Sequence, residues 1–390
     1  MKIKNIVCVA LGIAAFSLIG CFSHQEKKIT KFPTHPIEQG VSAPFAGIIG
    51  NWMLIGGGCN FPDTPAAEGG KKVFYKDIFA INTSQEELQW NLNAAFTLPV
   101  AYGASVTTGQ GLVCIGGIND TTLIRDVYSL GIDAQQRSIT SSRLPSLPEG
   151  IDNASATNVG RKLYVTGGNQ ENGGNALYCL CLDTDTVWTK LPDYPGPQRI
   201  QPVLLGSDDE LFLFGGFTTK ISTVEDGTKE EASTHTASST KEGIISSNYI
   251  VYSIKNNTWS EPIPLPAMMD GSTRALVGSS GIRVGNHFIL AGGVNYQIFK
   301  AAIEGNAPKD YMKRPAEWYQ FSDVLLVYNL QTKVWSHIPH VEGFNKAGGC
   351  LLHKNGALYM ACGETKPGIR TNEIVKKDMK ELTPLLQPIN

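Results

Sequence analysis

A glycine doublet recurs along this chain, each time at the end of a run of bulky apolar residues. Five copies are clear, and a sixth is degenerate because a cysteine replaces its first glycine. The copies begin at Gly57, Gly116, Gly167, Gly215, Gly292 and Cys362. Successive copies lie 59, 51, 48, 77 and 70 residues apart, so a unit of about 50 residues repeats with insertions. Because one short sheet cannot bury both of its faces, such repeats must stack on one another.

Two further patterns follow the doublets and identify the repeat. A tryptophan comes seven residues after a tyrosine or cysteine at Trp188, Trp259 and Trp335, and turns rich in proline and glycine separate the strands. This spacing resembles the kelch repeat, whose unit is one four-stranded blade of a β-propeller. We therefore expect an all-β, six-bladed kelch β-propeller that occupies residues 32–390 as a single domain. The ring is expected to close by pairing of the N-terminal strand at 27–32 with the C-terminal strand at 372–377.

The start of the chain predicts export and attachment to a membrane. Lys2 and Lys4 precede an apolar run at 6–20, which is shorter than the ~20 residues of a spanning helix and favours a signal peptide over residues 1–21. The run ends in LIGC, which resembles a bacterial lipobox and implies that Cys21 is acylated and holds the protein on a lipid bilayer. Residues 22–31 are then a tether and the start of the closing strand. The alternative is an ordinary signal peptide with an incidental cysteine.

A lipoprotein of this kind faces the periplasm or the cell surface of a bacterial envelope. The formal net charge of −2 gives no field that would gather nucleic acid, so no nucleic-acid partner is expected. The six cysteines beyond the leader show no CxxC spacing, and the histidines form no HExxH pattern, so no metal and no cofactor are expected. These cysteines are interpreted as mostly buried apolar side chains, although export would allow a pair to oxidise.

Insertions in the repeats indicate where a site lies. If the strands of a blade are a to d outward from the axis, the doublet ends strand b, and every b–c connection emerges on the same face as every d–a turn. Three b–c connections are long, at 59–76, 217–248 and 294–322. We expect them to form walls around the mouth of the channel, the kind of concave site that ligands prefer. The middle insertion is polar and is expected to be disordered or a mobile flap.

The sixth b–c connection carries the candidate chemistry. It has the sequence GETKPGIRTNE, which places Glu364 just beyond a strand and Arg370 six residues later, with Pro367 and Gly368 in the turn between them. A turn of this length can bring the carboxylate and the guanidinium together at the rim. The alternative is a surface ion pair that contributes about 0–1 kcal/mol and has no catalytic role.

Three segments resemble a known family. GETKPGIRT, GGVNYQIFKA and PFAGIIGNWMLIGGG are similar to runs in the kelch-type sialic acid mutarotases, the N-acetylneuraminate epimerases. The order differs, because the segment from about Asn153 looks like the start of the usual family member and residues 28–140 look like its end. This is a circular permutation that a closed ring tolerates. The resemblance covers nearly the whole chain after the leader, and it implies that Glu364 and Arg370 are the catalytic pair.

The implied activity is that of an isomerase that interconverts the α and β anomers of N-acetylneuraminic acid or a related 2-keto sugar acid. Glu364 would act as general base and then as acid, while Arg370 would bind the sugar carboxylate or stabilise the open form. Arg199, Tyr102 and Asn295 are weaker candidates for substrate binding. The turn before Tyr102, LPVAYG, lacks an arginine that the family pattern has there, whereas GPQR retains one at Arg199. No protein partner is inferred.

Three other functions were weighed against this one. A non-catalytic kelch propeller that binds a glycan or a protein at its rim is the main alternative, and it would not need Glu364 and Arg370 to converge in a closed pocket. A sialidase would carry repeated Ser-x-Asp-x-Gly boxes, of which SIKNNTW and LDTDTVW preserve only the end. A kelch-type copper oxidase would need converging tyrosine and histidine ligands, and no such constellation is apparent.

Overall fold

Each doublet directly follows the second strand of a small antiparallel sheet in the computed structural model, which describes residues 31–224 and 238–389. The sheets form a six-bladed β-propeller, which confirms the expected all-β fold. Both doublet residues have positive φ, as at Gly57 (+68°) and Gly58 (+92°). The sixth copy keeps this backbone, with Cys362 at +58°. Glycine is favoured here because side chains rarely adopt such angles.

The first two blades cover residues 45–144. Their strands are β1 (Phe45–Ile49), β2 (Trp52–Gly56), β3 (Cys59–Asn60), β4 (Val73–Phe74), β5 (Asp77–Asn82), β6 (Trp90–Ala95), β7 (Ala104–Thr108), β8 (Gly111–Ile115), β9 (Val127–Asp133) and β10 (Ser138–Leu144). Blade 1 has the order β1-β2-β5-β6, and blade 2 has β7-β8-β9-β10. Strands β3 and β4 pair with each other outside the blade.

Blades 3 and 4 follow the same plan. Their strands are β11 (Ile151–Asp152), β12 (Ser155–Val159), β13 (Lys162–Thr166), β14 (Asn169–Gln170), β15 (Leu177–Cys181), β16 (Thr189–Leu191), β17 (Val203–Gly206), β18 (Glu210–Phe214), β19 (Phe217–Val224), β20 (Ser238–Ile245), β21 (Asn248–Ser253), β22 (Thr258–Trp259) and β23 (Ile263–Pro264). The blades are β12-β13-β15-β16 and β17-β18-β21-β22, with β23 also paired to β21. Strands β11 and β14 pair with each other, as do β19 and β20.

Blades 5 and 6 complete the ring. Their elements are β24 (Ser280–Val284), β25 (His287–Ala291), α1 (Tyr296–Ile303), β26 (Leu325–Asn329), β27 (Trp335–Ile338), β28 (Cys350–Lys354), β29 (Ala357–Ala361), β30 (Glu364–Lys366), β31 (Ile369–Arg370), β32 (Ile374–Asp378), α2 (Met379–Leu382) and β33 (Gln387–Pro388). Blade 5 has the order β24-β25-β26-β27-β33, so the C-terminal tail adds a strand that the sequence did not predict. Blade 6 has β28-β29-β32 within the described residues.

The N-terminal part of the compact unit Phe32–Asn390 runs along blade 6. The Phe32 ring packs edge to face on Tyr359 at 5.4 Å, and the His35 N–H donates to the Asn372 carbonyl at 2.7 Å. The segment that begins at Phe32 therefore packs against the strands of blade 6. The expected closing strand at 27–32 lies outside the described residues up to 30, and Phe32 itself is not in a strand. The leader with Cys21 also lies outside them.

Hydroxyl side chains on the innermost strands join neighbouring blades across the channel wall. Ser105 Oγ accepts from the Ala46 N–H at 3.1 Å, Ser155 Oγ accepts from Leu204 at 2.9 Å, and Ser280 Oγ accepts from Leu351 at 3.0 Å. These bonds satisfy edge N–H groups that strands of the same blade cannot reach. These hydroxyl groups of the channel lining therefore help to hold the blades together.

A second set of contacts encircles the mouth of the channel. One residue just before the first strand of each blade has a left-handed backbone, with φ between +50° and +65°, namely Ala43, Tyr102, Asn153, Gln201, Gly278 and Gly348. Their backbones are linked in series. The Tyr102 N–H donates to the Ala43 carbonyl at 3.0 Å, and the Asn153 N–H donates to the Tyr102 carbonyl at 2.7 Å. We call these six residues the mouth ring.

The long insertions contain regular secondary structure in the residues that the structure describes. The first holds the β3–β4 pair and a 3₁₀ turn at Ala66–Glu68, and the third holds α1 with 3₁₀ turns at Tyr311–Lys313 and Ala316–Tyr319. The second is a β19–β20 hairpin, which corrects the expectation of disorder for the described parts of 217–248. Residues 225–237 lie outside the described residues. Phe217 of the hairpin packs edge to face on Phe299 of α1 at 4.9 Å, because both elements have apolar faces to bury.

Two further findings bear on the predictions from sequence. All six cysteines of the described residues are free, and four of them are buried. No helix in residues 31–224 and 238–389 has the length and apolarity needed to cross a bilayer.

Candidate active site

A cavity of about 1060 Å³ occupies the channel and its mouth. Hydroxyl-bearing inner strands line its depth, and the mouth ring with the insertions lines its opening. Ile298, Phe299 and Ile303 of α1 form an apolar wall on the side of blade 5. Glu364 and Tyr102 line the side of blades 6 and 1. The opening therefore combines an apolar surface with ionisable groups, as ligand sites commonly do.

Glu364 and Arg370, which the sequence places on one turn, lie in contact with each other. Strands β30 and β31 form a two-stranded hairpin in which Glu364 is the register partner of Arg370. Arg370 Nη2 lies 2.7 Å from Glu364 Oε1. The Glu364 backbone is held from the other side, because its N–H donates to the Ala347 carbonyl at 2.7 Å. The carboxylate thus stands at a fixed position on the rim.

Arg370 lies beneath this carboxylate rather than in the cavity. Its side chain is 3% exposed, against 20% for Glu364, and it does not line the cavity. The guanidinium carbon is 4.8 Å from the centre of the Phe61 ring, which covers it. The Nε and Nη1 atoms have no hydrogen-bond partner among the described residues. This placement differs from the expectation that Arg370 meets the sugar carboxylate directly.

The first and third insertions meet over the β30–β31 hairpin and bury it. A Cβ built on Gly368 at the turn would lie 2.7 Å from the Ala66 Cβ and 3.3 Å from the Met312 Cε. Lys366 Nζ donates to the Arg314 carbonyl at 2.7 Å. These contacts explain why a loop that the sequence places at the rim has a buried guanidinium.

Burial controls the ionisation of Glu364. Burial removes water from this carboxyl and raises its pKa above the ordinary range. The positive charges of Arg370 and Lys72 have the opposite effect and lower the pKa. A hydrogen bond from Ser42 also favours the carboxylate. A carboxylate poised between desolvation and neighbouring cations is typical of a general base.

Tyr102 also lines the opening and interacts electrostatically with Glu364, and it contacts a lysine that the sequence did not single out. Lys72 Nζ, from the loop before β4, donates to Tyr102 Oη at 3.1 Å. Burial raises the pKa of the Tyr102 phenol well above its usual value, so the phenol keeps its proton. Lys72 follows two glycines in EGGKKVF, 30 residues before Tyr102 in another part of the ring. No local sequence pattern could have predicted that Lys72 and Tyr102 are in contact.

The other two predicted binding residues have structural roles. Arg199 is 2% exposed and does not line the cavity. Its Nη1 donates to the Gly215 carbonyl at 2.7 Å, which ties blade 3 to blade 4. Asn295 does line the cavity, but its side chain caps α1 by accepting from the Ile298 N–H at 3.1 Å. The Arg199 side chain therefore lies between the blades rather than in the cavity, and its role in substrate binding stays a prediction.

Amides of the mouth ring form a polar arc that the sequence analysis missed. Gln201 Nε2 donates to Asn153 Oδ1 at 3.0 Å, and Asn153 Nδ2 donates to Asp152 Oδ2 at 2.9 Å. Asn169 Nδ2 donates to the other oxygen of Asp152 at 2.7 Å. Because the buried Asp152 fixes Asn153, the arc presents amides in set orientations to a ligand.

Comparisons with known proteins show the family to which this chain is related. The family model described as N-acetylneuraminate epimerase matches residues 144–384. This range includes Glu364, Arg370, Arg199 and Asn295, whereas Lys72 and Tyr102 precede it.

Relatives described as N-acetylneuraminate epimerase come from several bacteria. The protein of Haemophilus influenzae (strain PittEE) is 31% identical over 249 residues, which cover 60% of this chain and 59% of that protein. The protein of Pasteurella multocida (strain Pm70) is 28% identical over 243 residues, covering 59% of this chain and 57% of that protein. The chain thus spans about three-fifths of the length of these curated relatives.

A solved structure described as "Structure of YjhT" has the same fold. It aligns with a TM-score of 0.59 and 14% identity, covering 92% of this chain and 99% of that chain. This likeness concerns the fold alone. Membership rests on the family match across residues 144–384, which includes the Glu364–Arg370 hairpin at the cavity mouth. The chain belongs to the N-acetylneuraminate epimerase family.

Proposed function

We propose that this protein is a mutarotase that interconverts the α and β anomers of N-acetylneuraminic acid or a closely related 2-keto sugar acid. The observation that carries the proposal is the Glu364 carboxylate, which lines the cavity and is held by a buried arginine at 2.7 Å. Membership of the epimerase family supports the choice of substrate. The cavity volume of about 1060 Å³ leaves ample room for one sugar acid.

The reaction needs only the transfer of protons. Glu364 removes the proton of the anomeric hydroxyl, the bond from the anomeric carbon to the ring oxygen breaks, and the ring oxygen takes up a proton from solvent. After rotation of the open keto form, the hydroxyl adds to the other face of the carbonyl and releases its proton to solvent, and Glu364 returns its proton to the carbonyl oxygen. Positioned proton transfer contributes about 10²–10⁴-fold, which suits a reaction that already proceeds in water.

Arg370 acts through Glu364 in this proposal. Its charge opposes the effect of burial on the Glu364 pKa and so keeps part of the carboxyl ionised. Its Nη2 contact also fixes the orientation of the carboxylate. We therefore treat Arg370 as a positioning residue, and we test this role separately from direct contact with the sugar.

The test follows the anomers by proton NMR after a sialidase releases α-N-acetylneuraminic acid. The wild-type protein should accelerate the appearance of the β anomer. Glu364→Gln keeps the shape of the side chain but removes the base, so kcat should fall by about 10²–10⁴-fold while the sugar still binds. Arg370→Lys should lower kcat with little change in KM, since a lysine cannot reproduce the planar contact with the carboxylate.

Each outcome has a distinct meaning. A Glu364→Gln protein that converts the anomers at the wild-type rate would contradict the proposed mechanism. If Arg370→Lys raises KM several-fold at an unchanged kcat, Arg370 meets the sugar itself and is not a positioning residue. A wild-type protein that binds the sugar without accelerating its conversion would favour the alternative function, a non-catalytic propeller that binds a glycan or protein at its rim.

We also propose that the protein is a lipid-anchored lipoprotein exported to the bacterial envelope. The support is the LIGC sequence that ends at Cys21 after a basic start and an apolar run. Cys21→Ala should move the protein from the membrane fraction to the soluble fraction of lysed cells, because the acyl chains are its attachment. Equal distribution of wild-type and variant proteins between the two fractions would disprove the anchor.

A further inference from the structure

Lys72 contacts Tyr102, a residue that lines the cavity, and makes no ion pair with an acidic side chain of the described residues. Its Nζ donates to Tyr102 Oη at 3.1 Å. It also lies 4.9 Å from the centre of the Tyr102 ring and 6.0 Å from that of Phe61. The ammonium is thus held by a phenol and two aromatic faces, and its charge is not neutralised by a close carboxylate.

Tyr102 is fixed and is a suitable donor. It belongs to the mouth ring, with φ of +59°, and both its N–H and its carbonyl are bonded to neighbouring blades, at 3.0 Å and 2.7 Å. Because the phenol oxygen accepts from Lys72, its own proton is donated to another acceptor, which in this structure is the Cys59 sulfur and could be replaced by a carboxylate oxygen. The Cys59 thiol, a weak acceptor, is its other polar neighbour. A phenol and an ammonium side by side present two donors to an anion.

The chemistry of a 2-keto sugar acid requires a cation near Glu364. The carboxylate of the sugar is attached to the same carbon as the anomeric hydroxyl. When the Glu364 carboxylate reaches this hydroxyl, it therefore also comes close to the sugar carboxylate, and the two negative charges repel each other. Arg370 does not relieve this repulsion directly, since it lies beneath Glu364 with 3% of its side chain exposed. Lys72 is near enough to Glu364 to act on its charge.

We propose that Lys72 and Tyr102 together form the subsite that binds the carboxylate of the sugar acid. One carboxylate oxygen accepts from Lys72 Nζ, and one accepts from Tyr102 Oη. This inference rests on the proposed function, because it assumes that Glu364 addresses the anomeric hydroxyl of the same molecule. It concerns residues outside the range that the family model matches, 144–384.

Lys241 is the rival cation and supplies a matched control. It lies on β20 and lines the cavity on the side of the hairpin, but it is not among the groups that act on the charge of Glu364. A carboxylate bound by Lys241 would therefore lie away from the base. Replacing either lysine by methionine keeps the length of the side chain and removes the charge.

The experiment measures binding without turnover. In the Glu364→Gln background, calorimetry compares N-acetylneuraminic acid with its methyl ester, which lacks the negative charge. The acid should bind more tightly than the ester by about tenfold or more, as expected for a charge-assisted contact. Adding Lys72→Met should remove most of this preference, Tyr102→Phe should reduce it, and Lys241→Met should leave it unchanged. Thermal melting checks that each variant is folded.

The outcomes separate this inference from the proposed function. If the Glu364→Gln protein binds neither compound, the proposed function fails. If it prefers the acid and Lys72→Met keeps the full preference, the subsite lies elsewhere and the proposed function stands. If Lys241→Met loses the preference instead, the sugar carboxylate binds on the side of the β19–β20 hairpin, and the inference is wrong.

Discussion

At the scale of single residues, the surroundings of Glu364 give it its chemistry. An exposed glutamate is a weak base near neutral pH, since its ordinary pKa is about 4.3. Here burial raises the pKa, while the charges of Arg370 and Lys72 limit the rise. The balance keeps the group able to lose its proton and makes the carboxylate a stronger base than one in water.

This balance predicts the pH dependence of the reaction. The base must be ionised, so kcat/KM should fall as the pH drops through the raised pKa of Glu364, at a higher pH than for an exposed glutamate. Lys72→Met should shift this fall to still higher pH, because the lost positive charge had lowered the pKa. Rates of anomer conversion, corrected for the uncatalysed reaction at each pH, measure the shift. A fall at the same pH in both proteins would contradict this account.

The sequence could predict Glu364 and Arg370 because one turn of six residues holds both. It could not predict Lys72, whose partner Tyr102 comes from another blade. It also could not predict that Arg370 would be covered, because its cover consists of Phe61 and of two insertions distant in the chain. Local spacing identifies residues on one hairpin, while long-range packing decides which of them reach the ligand.

At the scale of elements, the β30–β31 hairpin depends on a glycine at its turn. Gly368 has a φ of +81° and lies against Ala66 of the first insertion and Met312 of the third. The three insertions therefore differ in their roles. Two of them cover the hairpin, and the β19–β20 arm packs on α1 at the other side of the cavity.

Gly368→Ala should impair activity by moving the hairpin. The new Cβ would lie 2.7 Å from the Ala66 Cβ, so the turn must shift and carry Arg370 away from Glu364. Gly356→Ala is the matched control, since Gly356 in the same blade has a φ of +74° with nothing within 4 Å of an added Cβ. Both variants bear the backbone strain of about 1 kcal/mol. Anomer conversion and melting temperature distinguish them, and equal kcat values would refute the role given to the turn.

At the scale of the whole molecule, the sequence repeat predicted the six-bladed architecture but not the pairing of the C-terminal strand β33 with β27. Glycine doublets follow the second strand of five blades, and Cys362-Gly363 follows that of the sixth, because the backbone there has positive φ. The seven-residue spacing from Tyr328 to Trp335 lies on strands that pair directly, with those two residues in register. The pairing of β33 with β27 has no recognisable pattern in the sequence, because Gln387 and Pro388 take part in it mainly through their backbone. The circular permutation stays a prediction.

The mouth ring has a consequence for how such proteins diverge. Backbone hydrogen bonds between successive members hold blade to blade, so the architecture does not depend on which side chains the six positions carry. The left-handed backbone does restrict the choice, because β-branched residues tolerate it poorly and glycine and asparagine tolerate it well. Evolution can therefore vary a small set of unbranched side chains around the opening, one substitution at a time, and change which ligands enter while the backbone of the mouth ring stays the same.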